Sequence, residues 1–258
     1  MKAGLTKDLL LRSGEALRRW LIKDKNPLKA EEAVVSLLSA DPQMALVVSG
    51  CNRAGIGGEN LRVQCAATGP LVAVVTPLDG HVNYQRGSNA FSASVTILNR
   101  ANGKRAAILY DGRSDRLCLL PRDMRAAIRS NIQLDTGRRV VSIGDVSLIT
   151  PTICKLIREM SWRSLGSSSL AIFDTAQGHI DFFIARTKIW NFYWSSVVCP
   201  NRVIWVGGRM SGCQAHAIDK ALWHDYEKSY LFACMSPHFN AQQVSKIFKI
   251  CWSELSRK

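Results

Sequence analysis

The stretch Val72–Tyr84, VAVVTPLDGHVNY, brings together residue types that could do chemistry. An apolar run, Leu71–Val75, reads as a strand that stops at Thr76-Pro77. Leu78-Asp79-Gly80 then turns the backbone, because proline fixes one dihedral and removes a donor while glycine allows the sharp bend. A strand ending in such a turn delivers the Asp79 carboxylate and several backbone N–H groups to a sheet edge. Those are the materials of a site for a metal ion and a phosphate. His81 follows at once. It could exchange a proton near neutral pH or hold phosphate as imidazolium; the plainer reading is a polar surface group. Further along, Gly166-Ser167-Ser168 opens a stretch with helical patterning, and the N–H groups of a helix start can hold an anion without any metal. Arg163 and Arg186 are cations that could reinforce such a site, or ordinary surface charges.

The elements that must position these groups follow from periodicity. Leu9, Leu10, Ala16, Leu17, Trp20 and Leu21 recur at helical spacing, so residues 6–23 read as a first helix broken at Pro27. Residues 30–40 form a second, ended by Asp41-Pro42. MALVVSG is a strand or a buried helix end, and the glycine-rich CNRAGIGGEN is a loop. From 61 to 120, short β-prone runs (RVQCAA, LVAVVT, SASVTIL, RAAILY, RLCLL) are separated by turn signals that include Asn102-Gly103 and Asp111-Gly112. Residues 150–161 and 166–177 read as helices, HIDFFIA as a strand, WNFYWSSVVC as a buried helix, VIWVGG as a strand and 240–256 as a closing helix. Strands and helices in this order predict a layered α/β sandwich. Its seam falls near 125–145.

Composition excludes several classes of protein. With 258 residues, 47% apolar and 21% charged, the chain can build an ordinary globular core. No apolar stretch approaches the roughly 18 to 20 residues that span a bilayer, and the N-terminus reads as an amphipathic helix without a cleavage site. The expected location is therefore cytoplasmic, with no membrane partner. Eight cysteines show no C-x-x-C pair and no histidine at zinc spacing, so they read as reduced core thiols. No G-x-S-x-G or paired histidine supports serine or cysteine catalysis. Asp174 and the aromatics Trp190, Phe192, Tyr193 and Trp194 read as structural. The net charge of +14 asks for an anionic partner: a phosphorylated metabolite, nucleic acid or an acidic protein surface. The basic residues are scattered in short clusters, and no nucleic-acid-binding motif accompanies them.

Val72–Tyr84 resembles the metal-binding signature of the inositol monophosphatase family, D-P-[IL]-D-G-T-x-N, with Thr76 where the first aspartate should stand. Other segments agree in order. Gly57-Gly58-Glu59-Asn60 resembles the family's G-E-E element, and SASVTILNRANGKRAAILY its paired strands. Trp162–Leu170 resembles R-S-x-G-S/T-A-A, Gly178–Phe183 resembles G-x-x-D-A-Y, and Trp190-Asn191 stands where the family has W-D. The resemblance implies one domain over 1–258, folded as a layered αβαβα sandwich of the inositol monophosphatase / fructose-1,6-bisphosphatase type. Its N-terminal α+β half would cover about 1–130 and its C-terminal α/β half about 131–258. It also implies a homodimer and Mg²⁺-dependent hydrolysis of a phosphate monoester.

Carried over residue by residue, the resemblance makes Glu59, Asp79 and the Leu78 carbonyl the metal ligands. Thr76 and Asp79 become the catalytic pair, with Thr76 orienting the attacking water. Gly80, His81, Arg163, Gly166, Ser167 and Asn191 become the phosphate- or substrate-binding set. The departures all remove negative charge. Thr76 and Asn191 replace two carboxylates, His81 replaces a threonine, and the family's aspartate-rich second-helix segment is absent. Mg²⁺ needs hard anionic oxygens, and two carboxylates cannot gather two or three such ions. The expectation is an inositol-monophosphatase-like protein with weak or no phosphatase activity and a retained anion- or partner-binding role. The alternatives are an active Mg²⁺-dependent phosphomonoesterase on an inositol phosphate, sugar phosphate or 3′-phosphonucleotide, and a basic protein that binds nucleic acid or a transcription complex.

Overall fold

A computed structural model describes residues 3–51, 60–65, 69–120, 139–144, 148–158, 160–188, 194, 197–198, 203–206 and 229–236. The chain divides into two compact units, Met1–Asp123 and Met124–Lys258.

The first unit begins with α1 (Ala3–Ile22) and α2 (Pro27–Ser39). Pro27 does not merely end α1. It is the first residue of α2, where a missing N–H costs nothing, and the Asn26 side chain accepts a hydrogen bond from the Lys29 N–H at 3.1 Å. The strands are β1 (Met44–Cys51), β2 (Asn60–Cys65), β3 (Leu71–Asp79), β4 (Ser92–Asn99), β5 (Arg105–Asp111) and β6 (Arg116–Leu120), with the short α3 (His81–Gln85) between β3 and β4. They form one sheet in the order β2-β1-β3-β4-β5-β6. Only β1 and β3 run parallel; the other neighbours are antiparallel. The Asn102-Gly103 turn joins β4 to β5 as its sequence predicts, with Gly103 at φ 67°.

One face of this sheet packs on the helices. Leu10, Leu17 and Leu21 of α1 and Val34 and Leu38 of α2 share a core with Ala73 and Val75 of β3, Val95 and Ile97 of β4, and Ile108 and Tyr110 of β5. Gly14 sits where α1 crosses β5, and a Cβ there would come within 2.6 Å of the Ile108 side chain. The residues between, Val72, Val74, Ser94, Thr96 and Leu109, are buried as well. Burial on both faces explains why Leu71–Val75 reads as an unbroken apolar run and not as an alternating one.

The second unit contains β7 (Val140–Ile143), α4 (Pro151–Leu156), β8 (Ser161–Arg163), α5 (Ser168–Gln177), β9 (Phe182–Lys188), β10 (Val203–Val206) and β11 (Ser229–Met235). The sheet order is β10-β11-β9-β7-β8, with β9, β7 and β8 parallel. The helix expected over 150–161 is only α4, capped by Thr150, and the chain is already extended again at Ser161. β7, β8 and β11 had no sequence counterpart. Trp194, Val197 and Val198 are helical and buried, in agreement with a buried helix there. The rest of 189–200 and the closing helix expected over 240–256 lie outside the described residues. The thiols divide: Cys234 is buried, whereas Cys154, read as a core thiol, is exposed.

Asp115 fastens α1 to the β5–β6 turn. The Arg18 guanidinium donates to both of its carboxylate oxygens, at 2.9 and 2.8 Å, and the Tyr110 hydroxyl donates at 3.0 Å. These bonds, that from Arg18 foremost, lower the Asp115 carboxyl from 3.8 to about 2. Such a group adds stability that is complete above its ordinary value and fades as pH falls through the folded one. Asp115→Asn keeps a residue that tolerates the left-handed backbone found there, φ 50°. Urea unfolding at stepped pH should therefore show a constant stability gap between wild type and Asp115→Asn above pH 3.8, closing as pH approaches about 2.

Candidate functional site

The strand β3 does not stop at Thr76. It runs on through Pro77 and Leu78 to Asp79, and the turn comes at Gly80. What interrupts it is a register shift. Thr76 lies opposite Ser94, but Asp79 lies opposite Ser92, so three steps along β3 match two along β4. In a regular strand residues three apart point to opposite faces; one extra residue restores them to the same face. The bulge therefore sets Thr76 and Asp79 side by side on the face away from α1 and α2. Leu78 goes the other way, into the helix-side core with Phe91. Sequence reasoning missed the neighbours this creates: Ser92 and Ser94 stand across from Asp79 and Thr76, and both are buried. Only the pairing register could have revealed them.

Gly80 holds φ 87° and ψ 38°, and its carbonyl accepts from the Tyr84 N–H at 3.0 Å to start α3. His81 is partly buried at the head of that helix. Asn83 donates through its side-chain amide to the Ala90 carbonyl at 2.7 Å, and the Tyr84 hydroxyl donates to the Leu21 carbonyl at 2.7 Å. These bonds fasten α3 to the loop before β4 and to the end of α1. Burial pushes the Tyr84 phenol upward.

One more carboxylate shares the face. Asp111 lies opposite Ser92 on β5, hence two strands from Asp79. It is 6% exposed and held on both oxygens: the Arg113 Nε and Nη2 donate to its two oxygens at 3.0 and 2.9 Å, and the Arg113 backbone N–H adds a third bond at 2.9 Å. A bidentate guanidinium offsets the carboxylate's charge and weakens its pull on a further cation. Among the described residues no group of three or more His, Cys, Asp or Glu side chains could hold a metal ion. Among the described residues the donor set at this end of β3 is one carboxylate, Asp79, with neutral hydroxyl and carbonyl oxygens, which by themselves do not fit a cluster of Mg²⁺ ions. Glu59 and Asn191, which the resemblance adds to the site, lie outside the described residues.

The other sequence-selected residues are in the second unit. Arg163 is the last residue of β8, exposed, in register with Ser142 of β7. Gly166 adopts φ 68° and turns the chain into α5. Ser167 is its N-cap, 3% exposed, and its hydroxyl accepts from the Leu170 N–H at 3.3 Å. The serine thus completes the helix start. α5 is buried from Ser169 to Ala176, and Trp194 Nε1 donates to the Ser169 carbonyl at 3.2 Å. Asp174 is buried in the same helix, and Arg186 is exposed on β9.

No protein-family model matches the chain, and no curated protein matches it by sequence. Solved structures do. An inositol monophosphatase-II from Staphylococcus aureus MSSA476 superposes with a TM-score of 0.63 at 15% identity, covering 98% of this chain and 96% of that one. The extragenic suppressor protein suhB from Bartonella henselae gives 0.60 at 17% identity over 96% and 99%. An inositol monophosphatase from Anabaena (Nostoc) sp. PCC 7120 gives 0.59 at 15% over 96% and 93%. Structures of SaIMPase-II with inositol monophosphate and with 2′AMP bound are similar too. The chain has the αβ sandwich fold of the inositol monophosphatases, as the motif resemblance implied.

Gly80 sets the angle between the bulge and α3, and a side chain there would have to adopt a left-handed conformation. Gly80→Ala should lose about 1–2 kcal/mol in urea unfolding. The neighbouring exposed substitution Gln85→Ala should change little.

Proposed function

We propose that the chain is an inositol-monophosphatase-like protein that binds a phosphorylated small molecule or another anion, with weak or no phosphatase activity. The observation that carries this reading is the charge balance at the end of β3. Thr76 and Asp79 share a face, and the other described carboxylate on it, Asp111, is held on both oxygens by Arg113. Neighbours of this fold bind inositol monophosphate and 2′AMP, which supports a phosphorylated ligand as the class to test.

In this reading the residues that hold an anion are donors, and each unit carries its own set. Gly80 and His81 offer backbone N–H groups at the end of β3. Gly166 and Ser167 offer those at the start of α5, with Arg163 as a cation on the strand before it. Neutral dipoles and one arginine can bind a phosphate but do little to activate water or to stabilise a leaving alkoxide. Binding therefore outlasts turnover when carboxylates are lost. Mg²⁺, where a single ion is held by Asp79, the Leu78 carbonyl and Glu59, would supply charge neutralisation at the phosphoryl group. Thr76 would then orient water. The reading also takes the protein to be a cytoplasmic homodimer, to be checked by sedimentation velocity and fractionation. No described helix is long and apolar enough to cross a membrane.

Calorimetric titration with inorganic phosphate and inositol monophosphate should show binding that survives EDTA and weakens in Arg163→Ala. Phosphate-ester cleavage at millimolar Mg²⁺ should stay at background. The variant Thr76→Asp should raise Mg²⁺ affinity by at least tenfold, about 1.4 kcal/mol. Wild-type turnover that EDTA or Asp79→Asn abolishes would establish the working phosphomonoesterase instead.

A further inference from the structure

We propose that the corner where α1 ends and α2 begins, together with α3, is a docking surface for an anionic lipid bilayer. Six large hydrophobic side chains are exposed among the described residues, and three of them belong to this corner: Ile22, Leu28 and Val82, at 44, 41 and 46%. Their juxtaposition is fixed by contacts. Ile22 ends α1 and Leu28 is the second residue of α2, across a turn closed by the Asn26 N–H donating to the Trp20 carbonyl at 2.9 Å. The Tyr84 hydroxyl donates to the Leu21 carbonyl at 2.7 Å, which fastens the short helix carrying Val82 to the same end of α1.

The rim is basic. Arg19, Lys23, Lys25, Lys29 and Arg86 are all exposed, and Asp24 is the only acidic residue in 19–29 and 81–86. The Lys29 ammonium and the Arg19 guanidinium stand 5.3 and 5.7 Å from the centre of the Trp20 ring, so two of these cations are held beside an aromatic. Projecting aliphatic groups ringed by cations are the chemistry of a peripheral membrane contact. The apolar tips enter the headgroup boundary while lysine and arginine meet anionic phosphates.

The competing occupants fit less well. Single-stranded nucleic acid is gripped by aromatic stacking, which Ile, Leu and Val cannot provide, and Trp20 is already flanked by two cations. A second copy of the same face would set cation against cation. An acidic protein would meet side chains standing on helix ends and turns, where a fluid bilayer needs no matching groove. This surface does not depend on the β3 site, and either reading can fail without the other.

The test is co-sedimentation of the full chain with phosphatidylcholine vesicles and with phosphatidylcholine–phosphatidylserine vesicles, at low and high salt. Binding is expected only to the anionic vesicles, falling with salt. Lys23→Ala and Arg86→Ala should each weaken it about fivefold, and Ile22→Asp and Val82→Asp by about tenfold or more. Leu11→Asp, also at an exposed position (37%) but about 16 Å away along α1, should bind like wild type; circular dichroism would confirm that every variant is folded. The proposal is overturned by no binding to anionic vesicles, by equal binding to neutral ones, or by Leu11→Asp losing as much as Ile22→Asp. Salt-sensitive binding of single-stranded RNA with no vesicle binding would assign the corner to nucleic acid.

Discussion

The register shift in β3 between Thr76 and Asp79 is the constraint on which the candidate site depends. Without it a T-x-x-D spacing would put one side chain in the helix-side core and the other on the opposite face, and no pair would exist. The shift is held by bulk structure and not by the pair itself. On its N-terminal side Leu71, Ala73 and Val75 are buried in the core with α1 and α2, which fixes the parity of the strand. On its C-terminal side Leu78 and Phe91 anchor the same core, and Gly80 then bends the chain into α3. A one-residue slip would turn these apolar groups away from the helices and put Thr76 into the helix-side core, so the packing of the whole sheet enforces the geometry of two residues.

The same logic explains how a fold can be kept while its chemistry changes. Thr76 stands on a face where Ser92, Ser94 and Thr96 are already polar and buried, so a change of side chain there leaves the helix-side core untouched. The electrostatics are less forgiving. Each carboxylate replaced by a neutral group leaves fewer negative charges to offset a divalent ion, and Asp111 gives no help because Arg113 grips it on both oxygens. Neutral groups that tolerate burial can be exchanged at little structural cost, and ion clusters cannot survive that exchange.

Much of the architecture was legible in the sequence because it rests on local signals. Helical spacing marked α1 and α2, and the Asn102-Gly103 turn marked the β4–β5 hairpin. Gly166-Ser167 marked the start of α5, where Ser167 proves to be the N-cap. Three strands of the second unit were not legible, for different reasons. β7 and β8 span four and three residues, too few for a period to show. β11, SYLFACM, pairs on both sides within its sheet and is a buried apolar run without alternation, which reads equally as helix or strand. The end of β3 was misplaced because Pro77 signals a stop, whereas a bulge is one of the few strand positions that accepts a proline. At the site, motif order gave Thr76, Asp79 and Gly80. That Asp111 shares the face came only from the pairing of β4 with β5, which no local pattern encodes, although the arginine that holds it is two residues away.

Anion binding and anion hydrolysis therefore separate on physical grounds. Backbone N–H groups are present in every copy of a fold that keeps its turns and helix starts, whatever the side chains become. Gly80 at φ 87° and Gly166 at φ 68° preserve two such turns. Water activation and leaving-group stabilisation have no backbone substitute; they need localised charge that only carboxylate-held cations or well-placed acids and bases supply. Arg113 is engaged with Asp111 and the Ser167 hydroxyl with its own helix, so these two side chains hold the backbone in place.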